Sequence, residues 1–492
     1  MESHDRGEGP IDARHELRRG LWWLGAATVA MRLLDVAGSL LVLQFLLPGD
    51  VGLAALAWSF SVALEAFNGL GVGQVVVREE GLTHRQLSGL FWFSTLLGVA
   101  AVAVMAPAAP FIAEFYADWR LAPMIVVSAG KLVFVGAALV PLQLLTRRLD
   151  FRTAGAVQTV ATLGEAVTKV VLVVTGFGAW SLVIANVSRG AWLCLALWRW
   201  APFRPALAVE DESTRRAVRF GLRVTASNAV YHVYRNMDFL LIGRVLGTRV
   251  LGIYQIAFQL GMTPLEVVLQ LVNRVQYPIY ARLQHHAAEL RDAFYRSARS
   301  LLLVLGPVAA VICFASADVL ALFQHGIWLP AVPLVQILVW ASLVRGIAQL
   351  FPQLYLATGR PEFAVYDSLI TGAALVGGFG LALYFAPAET GAWWVAWVWL
   401  LSYPIALAAH FYFARKVSEV TSTGMAASLL RPAVGLAVVS LALWLTTLAR
   451  PLIGSAPVSL GLLVAVGLGA HALYLHRVMH LRLGELLPRR QA

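Results

Sequence analysis

Fourteen apolar stretches of about 20 residues each run through this chain, and they constrain its folding more than any other feature. As an α-helix, a stretch of that length matches the roughly 30 Å hydrocarbon core of a bilayer. Lipid offers no partner to a bare N–H or C=O, so only helices and closed barrels span it. These runs are too long and too continuously apolar for the alternating strands of a barrel, which predicts an all-α polytopic membrane protein. The spans lie near 21–47, 51–73, 87–112, 122–145, 153–175, 177–198, 217–245, 250–276, 298–323, 330–357, 364–385, 391–413, 427–448 and 454–475. Only 13% of the residues are charged, against about 25% in a soluble protein, too few to clothe a surface of this size in water.

The net charge is +11, which in a soluble protein would point to nucleic acid. Here its distribution has a topological meaning. With the N-terminus inside, the inner segments hold 24 Lys and Arg, and the outer ones hold only Arg120, Arg244, Arg249 and Arg450. The positive-inside rule therefore puts both termini in the cytoplasm, and the expected location is a bacterial inner membrane. The first twenty residues mix acids with arginines and lack an apolar h-region, so the first span is expected to serve as the targeting signal. The outer loops are all short, which weighs against a membrane glycosyltransferase with lumenal chemistry. Cys194 and Cys313 sit in separate apolar runs and suggest neither a disulfide framework nor a metal site.

A repeat is visible within the spans. Arg32-x-x-Asp35 in the first is followed by Gly52 and Leu64-Glu65 in the second; Arg235-x-x-Asp238 in the seventh is followed by Gly252 and Leu265-Glu266 in the eighth. Six spans separate the copies, so both have the same orientation, the parallel repeat of some transporters. The expected organisation is a cytoplasmic segment at 1–20, a six-helix lobe at 21–198 and an inter-lobe loop at 199–216. A second six-helix lobe follows at 217–413, then an appended helix pair within 427–475 and a tail at 476–492.

Charges inside these spans are the candidate functional residues. An ionisable group at the bilayer centre costs at least about 2.5–3.5 kcal/mol, so it faces a partner, a bundle interior or a hydrated cavity. Residues three or four apart share a helix face, so Arg32 can pair with Asp35, Arg235 with Asp238, and Glu165 with Lys169. Such pairs are either neutralised structural elements or a cationic site kept quiet while empty. Glu65, Lys131, Arg189, Glu266 and Arg345 have no partner on their own helix and must meet others across helices or line a cavity. A cavity with cations at comparable depth suits a bulky anion, and arginine's planar fork suits phosphate. Tyr231, Tyr234 and Tyr254 are placed to stack on sugars or simply to pack. The GLGVG at 69–73 follows no strand and reads as close packing or a bend, not as a nucleotide loop.

Three stretches carry a resemblance to a known family: GLGVGQVVVREEGLTHRQLSGLFWFSTLLG (69–98), PLQLLTRRLDFRTAGAVQT (141–159) with GFGAWSLV (176–183), and RFGLRVTASNAVYHVYRNMDFLLIGRVLGTRVLGIYQIAFQL (219–260). The chain resembles the polysaccharide transporter (Wzx-like flippase) branch of the multidrug/oligosaccharidyl-lipid/polysaccharide exporter superfamily. That resemblance implies two six-helix lobes around a central cavity, and alternating access driven by an H+ or Na+ gradient or by membrane potential, with no cofactor. Its implied cargo is an undecaprenyl-pyrophosphate-linked oligosaccharide, and its implied partners are membrane lipids, a polysaccharide polymerase and a chain-length regulator, not nucleic acid. The candidates for the pyrophosphate and glycan cavity are Arg32, Arg235, Lys131, Lys169, Arg345 and Tyr231; those for ion coupling are Asp35, Glu65, Asp238 and Glu266. No catalytic residue is expected. A drug/cation antiporter and the lipid II flippase of peptidoglycan synthesis remain open as alternatives.

Overall fold

The computed structural model describes residues 38–68, 71–79, 81–201, 203–206, 236–387, 389–450 and 455–477. Among them there is no strand, and ten helical segments are long and apolar enough to cross a membrane. The chain divides into two compact units, Met1–Asn236 and Met237–Ala492.

In the first unit, α1 (Pro48–Asn68) and the short α2 (Val72–Arg78) precede α3 (His84–Phe115), α4 (Leu121–Arg147), α5 (Phe151–Val174) and α6 (Ala179–Trp200). The second expected span, 51–73, is therefore not one helix. It ends at Asn68, and Gly71, with φ of +70°, starts α2 from a left-handed conformation that costs an L-residue energy and glycine little. Thr83 and Gln86 close a reciprocal capping box at the start of α3, and the Asp150 side chain accepts from the Thr153 N–H at the start of α5. The first span is described only from residue 38 onward.

α4 is the hub of this unit and packs on α1, α3 and α6. Its contact with α3 is intimate because Gly98 of α3 and Gly136 of α4 each face the other helix's backbone, where an added Cβ would overlap main-chain atoms. Ser94 Oγ donates to the Gly136 carbonyl at 2.9 Å across the same crossing. In lipid, where neighbouring chains are as apolar as leucine, such small-residue contacts and hydrogen bonds hold helices together.

In the second unit, α7 (Met237–Val245) is the described end of the seventh span. It leads to α8 (Gly247–Leu283), α9 (Ala287–Ala321), α10 (Val332–Ala348), the short α11 (Phe351–Ala357), α12 (Pro361–Phe385) and α13 (Gly391–Val417). At 37 residues α8 is about 55 Å long, well beyond one hydrocarbon thickness. The tenth expected span, 330–357, is broken at Gln349–Leu350 into α10 and α11, with Pro352 in the first turn of the second piece. A core of Phe294, Leu301, Leu343, Phe351, Leu354 and Tyr355 fills the space between α9, α10 and α11. The last helices, α14 (Ser422–Leu448) and α15 (Ala456–Arg477), pack on each other and both on α9.

The two units repeat one packing scheme. In the second, α10 is the hub and touches α8, α9 and α13, just as α4 touches α1, α3 and α6; α12 pairs with α13 as α5 pairs with α6. The second, third and sixth spans thus surround the fourth in each unit.

Candidate functional site

In the first unit the charges inside the spans converge on α1, α4, α5 and α6. Lys131 on α4 meets Glu65 on α1 at 2.6 Å. Glu165 and Lys169, one turn apart on α5, lie 3.7 Å from each other, and Arg189 on α6 reaches the other Glu165 oxygen at 3.2 Å. Gly190, next to Arg189, sits against the Lys131 backbone and the Phe134 side chain, which brings both sets of charges to the same level. Among the described residues, these three cations meet two carboxylates. Glu165 and Lys169 are buried, whereas 40% of the Arg189 side chain is exposed. This belt holds its cations against carboxylates, and a guanidinium fork in such a pair can exchange a carboxylate for a phosphate oxygen.

The second unit carries a different constellation at its hub. Asp238, at the start of α7, is fully buried, and its Oδ2 accepts the Tyr254 hydroxyl at 2.6 Å and the Trp399 indole N–H at 3.1 Å. Arg345, on α10, is buried with its guanidinium 5.1 Å above the Trp399 ring. That stacking stabilises a desolvated guanidinium by about 2 kcal/mol. Lys131 and Arg345 thus stand on the equivalent hub helices of their units.

Two further pairs with a buried carboxylate lie in this unit. Asp318 near the end of α9 meets Arg450, just past α14, at 2.6 Å. Asp367 on α12 and His410 on α13 are both buried, with the His410 Nδ1 2.8 Å from an Asp367 oxygen.

Of the residues expected to bind pyrophosphate and glycan, Arg32, Arg235 and Tyr231 lie outside the described residues, as does the coupling candidate Asp35. Lys131 and Lys169 are brought together with Glu65 and Arg189 in the first unit. Arg345 and Asp238 are brought near one another in the second through Trp399. Glu266 is half-buried on α8. The expected partner of Asp238, Arg235, lies outside the described residues; among the described residues the carboxylate accepts from Tyr254 and Trp399. Tyr254 is fully buried, so its ring packs, the second of its two expected roles, and is not an open face for a sugar. Sequence reasoning passed over Trp399, Asp318, Asp367 and His410. A search for every ionisable residue in an apolar run, not only Lys and Arg, finds the last three.

Comparisons with known proteins agree with this architecture. Residues 41–333 match the family described as "Polysaccharide biosynthesis protein". The teichuronic acid biosynthesis protein TuaB of Bacillus subtilis (strain 168) is 26% identical over 422 residues, covering 81% of this chain and 85% of that protein. The lipopolysaccharide biosynthesis protein WzxC of Escherichia coli (strain K12) is 21% identical over 76% of this chain and 79% of its own length. The succinoglycan biosynthesis transport protein ExoT of Rhizobium meliloti (strain 1021) is 24% identical over 68% of each. Among solved structures, the lipid II flippase MurJ in an inward closed conformation superposes with a TM-score of 0.69 at 11% identity, covering 93% of this chain and 99% of that one. An inward-facing multidrug transporter of the MATE family, in the MOP superfamily, gives 0.63 at 14% identity, covering 82% and 98%. The fold is that of the MOP superfamily, and this chain is a multi-pass membrane protein of that architecture.

Proposed function

Because the chain belongs to the polysaccharide biosynthesis protein family, we propose that it moves a lipid-linked oligosaccharide repeat unit from the cytoplasmic to the outer leaflet of a bacterial inner membrane, for assembly of an O-antigen, capsule or exopolysaccharide. The observation that carries this reading is the belt of Lys131, Lys169 and Arg189 in the first unit, three cations against Glu65 and Glu165 at membrane depth. Cations grouped in this way suit the pyrophosphate of an undecaprenyl-linked glycan and disfavour a cationic drug. Of the carboxylates a drug/cation antiporter would use, Glu65, Glu165 and Glu266, the first two are already engaged by these cations.

In this mechanism the pyrophosphate exchanges into the belt, and Arg189 and the two lysines turn from their carboxylates toward phosphate oxygens. Arg32, Arg235 and Arg345 supply further cations, and Tyr231 a surface for the glycan. The polyprenyl tail stays in lipid. Both termini are cytoplasmic, and an ion gradient or the membrane potential resets the carrier. A polymerase and a chain-length regulator would receive the cargo.

The test is mass spectrometry of polyprenyl-linked glycans in a deletion strain, with leaflet sidedness determined. A complete repeat unit accumulating on the cytoplasmic face is the expected outcome. An unchanged glycan pool with altered drug susceptibility would move the assignment to the antiporter class. Arrested cell-wall growth with accumulated peptidoglycan precursor would move it to the lipid II class.

A further inference from the structure

Asp367 and His410 form a buried pair on α12 and α13, with no cation set against it among the described residues. His410 Nδ1 lies 2.7 Å from the Ala406 carbonyl oxygen and 2.8 Å from Asp367 Oδ1. Both neighbours are acceptors, so Nδ1 carries a hydrogen, and Nε2 is the position at which a further proton is taken up or released. The carbonyl lies in line with that N–H; Asp367 Oδ1 does not, and it has no hydrogen of its own among the described residues. A buried carboxylate and a neutral imidazole together hold one negative charge, and one proton would cancel it. Burying an uncompensated charge is costly, whereas an imidazolium beside a carboxylate is a neutral pair.

Among the described residues, the surroundings place no cation against it. On α11, the Tyr355 hydroxyl donates to the His410 carbonyl at 2.9 Å, and Phe351 packs edge-on to the imidazole. Arg345 on α10 is engaged over Trp399, eleven residues earlier on α13 and about 16 Å along its axis. Asp238 on α7 meets that same tryptophan. At the ends of the two helices, Arg360 pairs with Glu362 at 3.5 Å, and Arg415 and Lys416 are exposed, the lysine over the Tyr412 ring. Of the other buried carboxylates among the described residues, Glu165 faces Lys169 and Arg189 and Asp318 faces Arg450, while Asp238 accepts from the neutral donors of Tyr254 and Trp399. Histidine alone among side chains ordinarily changes charge between about pH 5 and 8.

We propose that the Asp367–His410 pair is the proton-binding site through which this carrier couples to a proton gradient, a role that rests on the transport reading above. The event is a simple proton transfer. A proton from the aqueous side adds to the Nε2 lone pair and gives an imidazolium beside the Asp367 carboxylate; release reverses it. Loading switches the net charge held between α12 and α13 from −1 to 0, and so changes the electrostatic cost of keeping the two helices closed around it.

The binding step is tested without any glycan. Full-length protein in lipid nanodiscs is titrated from pH 5 to 8.5 while the imidazolium and carboxylate bands are followed by infrared difference spectroscopy. His410→Asn keeps an N–H donor near the Nδ1 position and cannot take the proton; it should lose one titrating histidine and the coupled carboxylate signal. Asp367→Asn should keep the histidine titration but weaken proton affinity by roughly tenfold or more, the effect of losing one close opposite charge. A His410→Asn titration identical to the parent would overturn the site. So would an unmoved histidine titration in Asp367→Asn, which serves also if His410→Asn fails to fold. The coupling role is read in cells, where both variants should accumulate the lipid-linked repeat unit; lost titration with normal export overturns it. A proton that binds normally in a protein whose deletion leaves the glycan pool unchanged overturns the transport reading and leaves the proton site standing.

Discussion

At the scale of single residues, the molecule is governed by what each ionisable group finds opposite it. Lys131 and Glu65 are only partly shielded, with side chains 18% and 31% exposed, yet removing either strands the other at membrane depth. Lys131→Met should lower stability by about 1–3 kcal/mol, the cost of an unsatisfied polar partner. Adding Glu65→Gln should restore most of that stability without restoring export, which thermal unfolding in detergent and the lipid-linked glycan assay would separate. Trp399→Phe removes the indole donor shared by Asp238 and Tyr254 and should cost about 1–3 kcal/mol by the same measurement. An unchanged midpoint would mean that the indole donor contributes nothing to holding Asp238. In the loop between α3 and α4, outside the membrane, the side-chain hydrogen bonds from Arg120 hold the Asp118 carboxyl below its ordinary value, against the opposing effect of partial burial. A carboxyl whose native pKa is depressed contributes stability above its unfolded value, and loses it as pH falls through the native one. Arg120 is 67% exposed, so the contribution is under about 1 kcal/mol. The gap in melting temperature between the parent and Asp118→Asn should be small at pH 7 and should close below the usual carboxylate range.

At the scale of helices, hydropathy located most of the fold, because transferring twenty apolar residues into lipid outweighs any local preference. The expected spans 87–112, 122–145 and 391–413 correspond to α3, α4 and α13, whose ends run a few residues further. The breaks at Gly71 and at Gln349–Leu350 escaped notice, since a hydropathy window averages over a single left-handed residue or one interrupted turn. The charge pairs divide in the same way. Glu165 with Lys169 follows from helical spacing alone, whereas Arg189 with Glu165, and Lys131 with Glu65, depend on which helices become neighbours. Neighbours are chosen by features such as Gly98 and Gly136, which pattern reading treats as silent. Gly136→Leu should push α3 from α4 and cost about 1–3 kcal/mol or more in stability. Gly130→Ala, six residues earlier on the same helix with open space around it, should be neutral or stabilise by up to about 1 kcal/mol. Equal melting temperatures for the two variants would contradict the close crossing.

At the scale of the whole molecule, each unit has its own hub, its own core and one buried thiol. Cys194 Sγ donates to the Phe134 carbonyl at 3.2 Å in the first; Cys313 is packed in the core of the second. Both should resist maleimide in membranes. If each unit folds on its own contacts, expressing 1–236 and 237–492 as separate chains should leave each thiol protected, and labelling of either at the rate of the denatured chain would show that its unit needs the other. The pairing of charges also sets a timetable for synthesis. Glu65 leaves the ribosome 66 residues ahead of Lys131, a wait of about 3–13 s at 5–20 residues per second. Asp238 meets Tyr254 after 16 residues but waits through 161 for its second donor, Trp399, about 8–32 s. Glu165 waits through only four for Lys169. A helix that emerges with an unmatched carboxylate must be held at the insertion machinery until its partner arrives, so the order in which helices are released into lipid is written into which of them carry half of a pair.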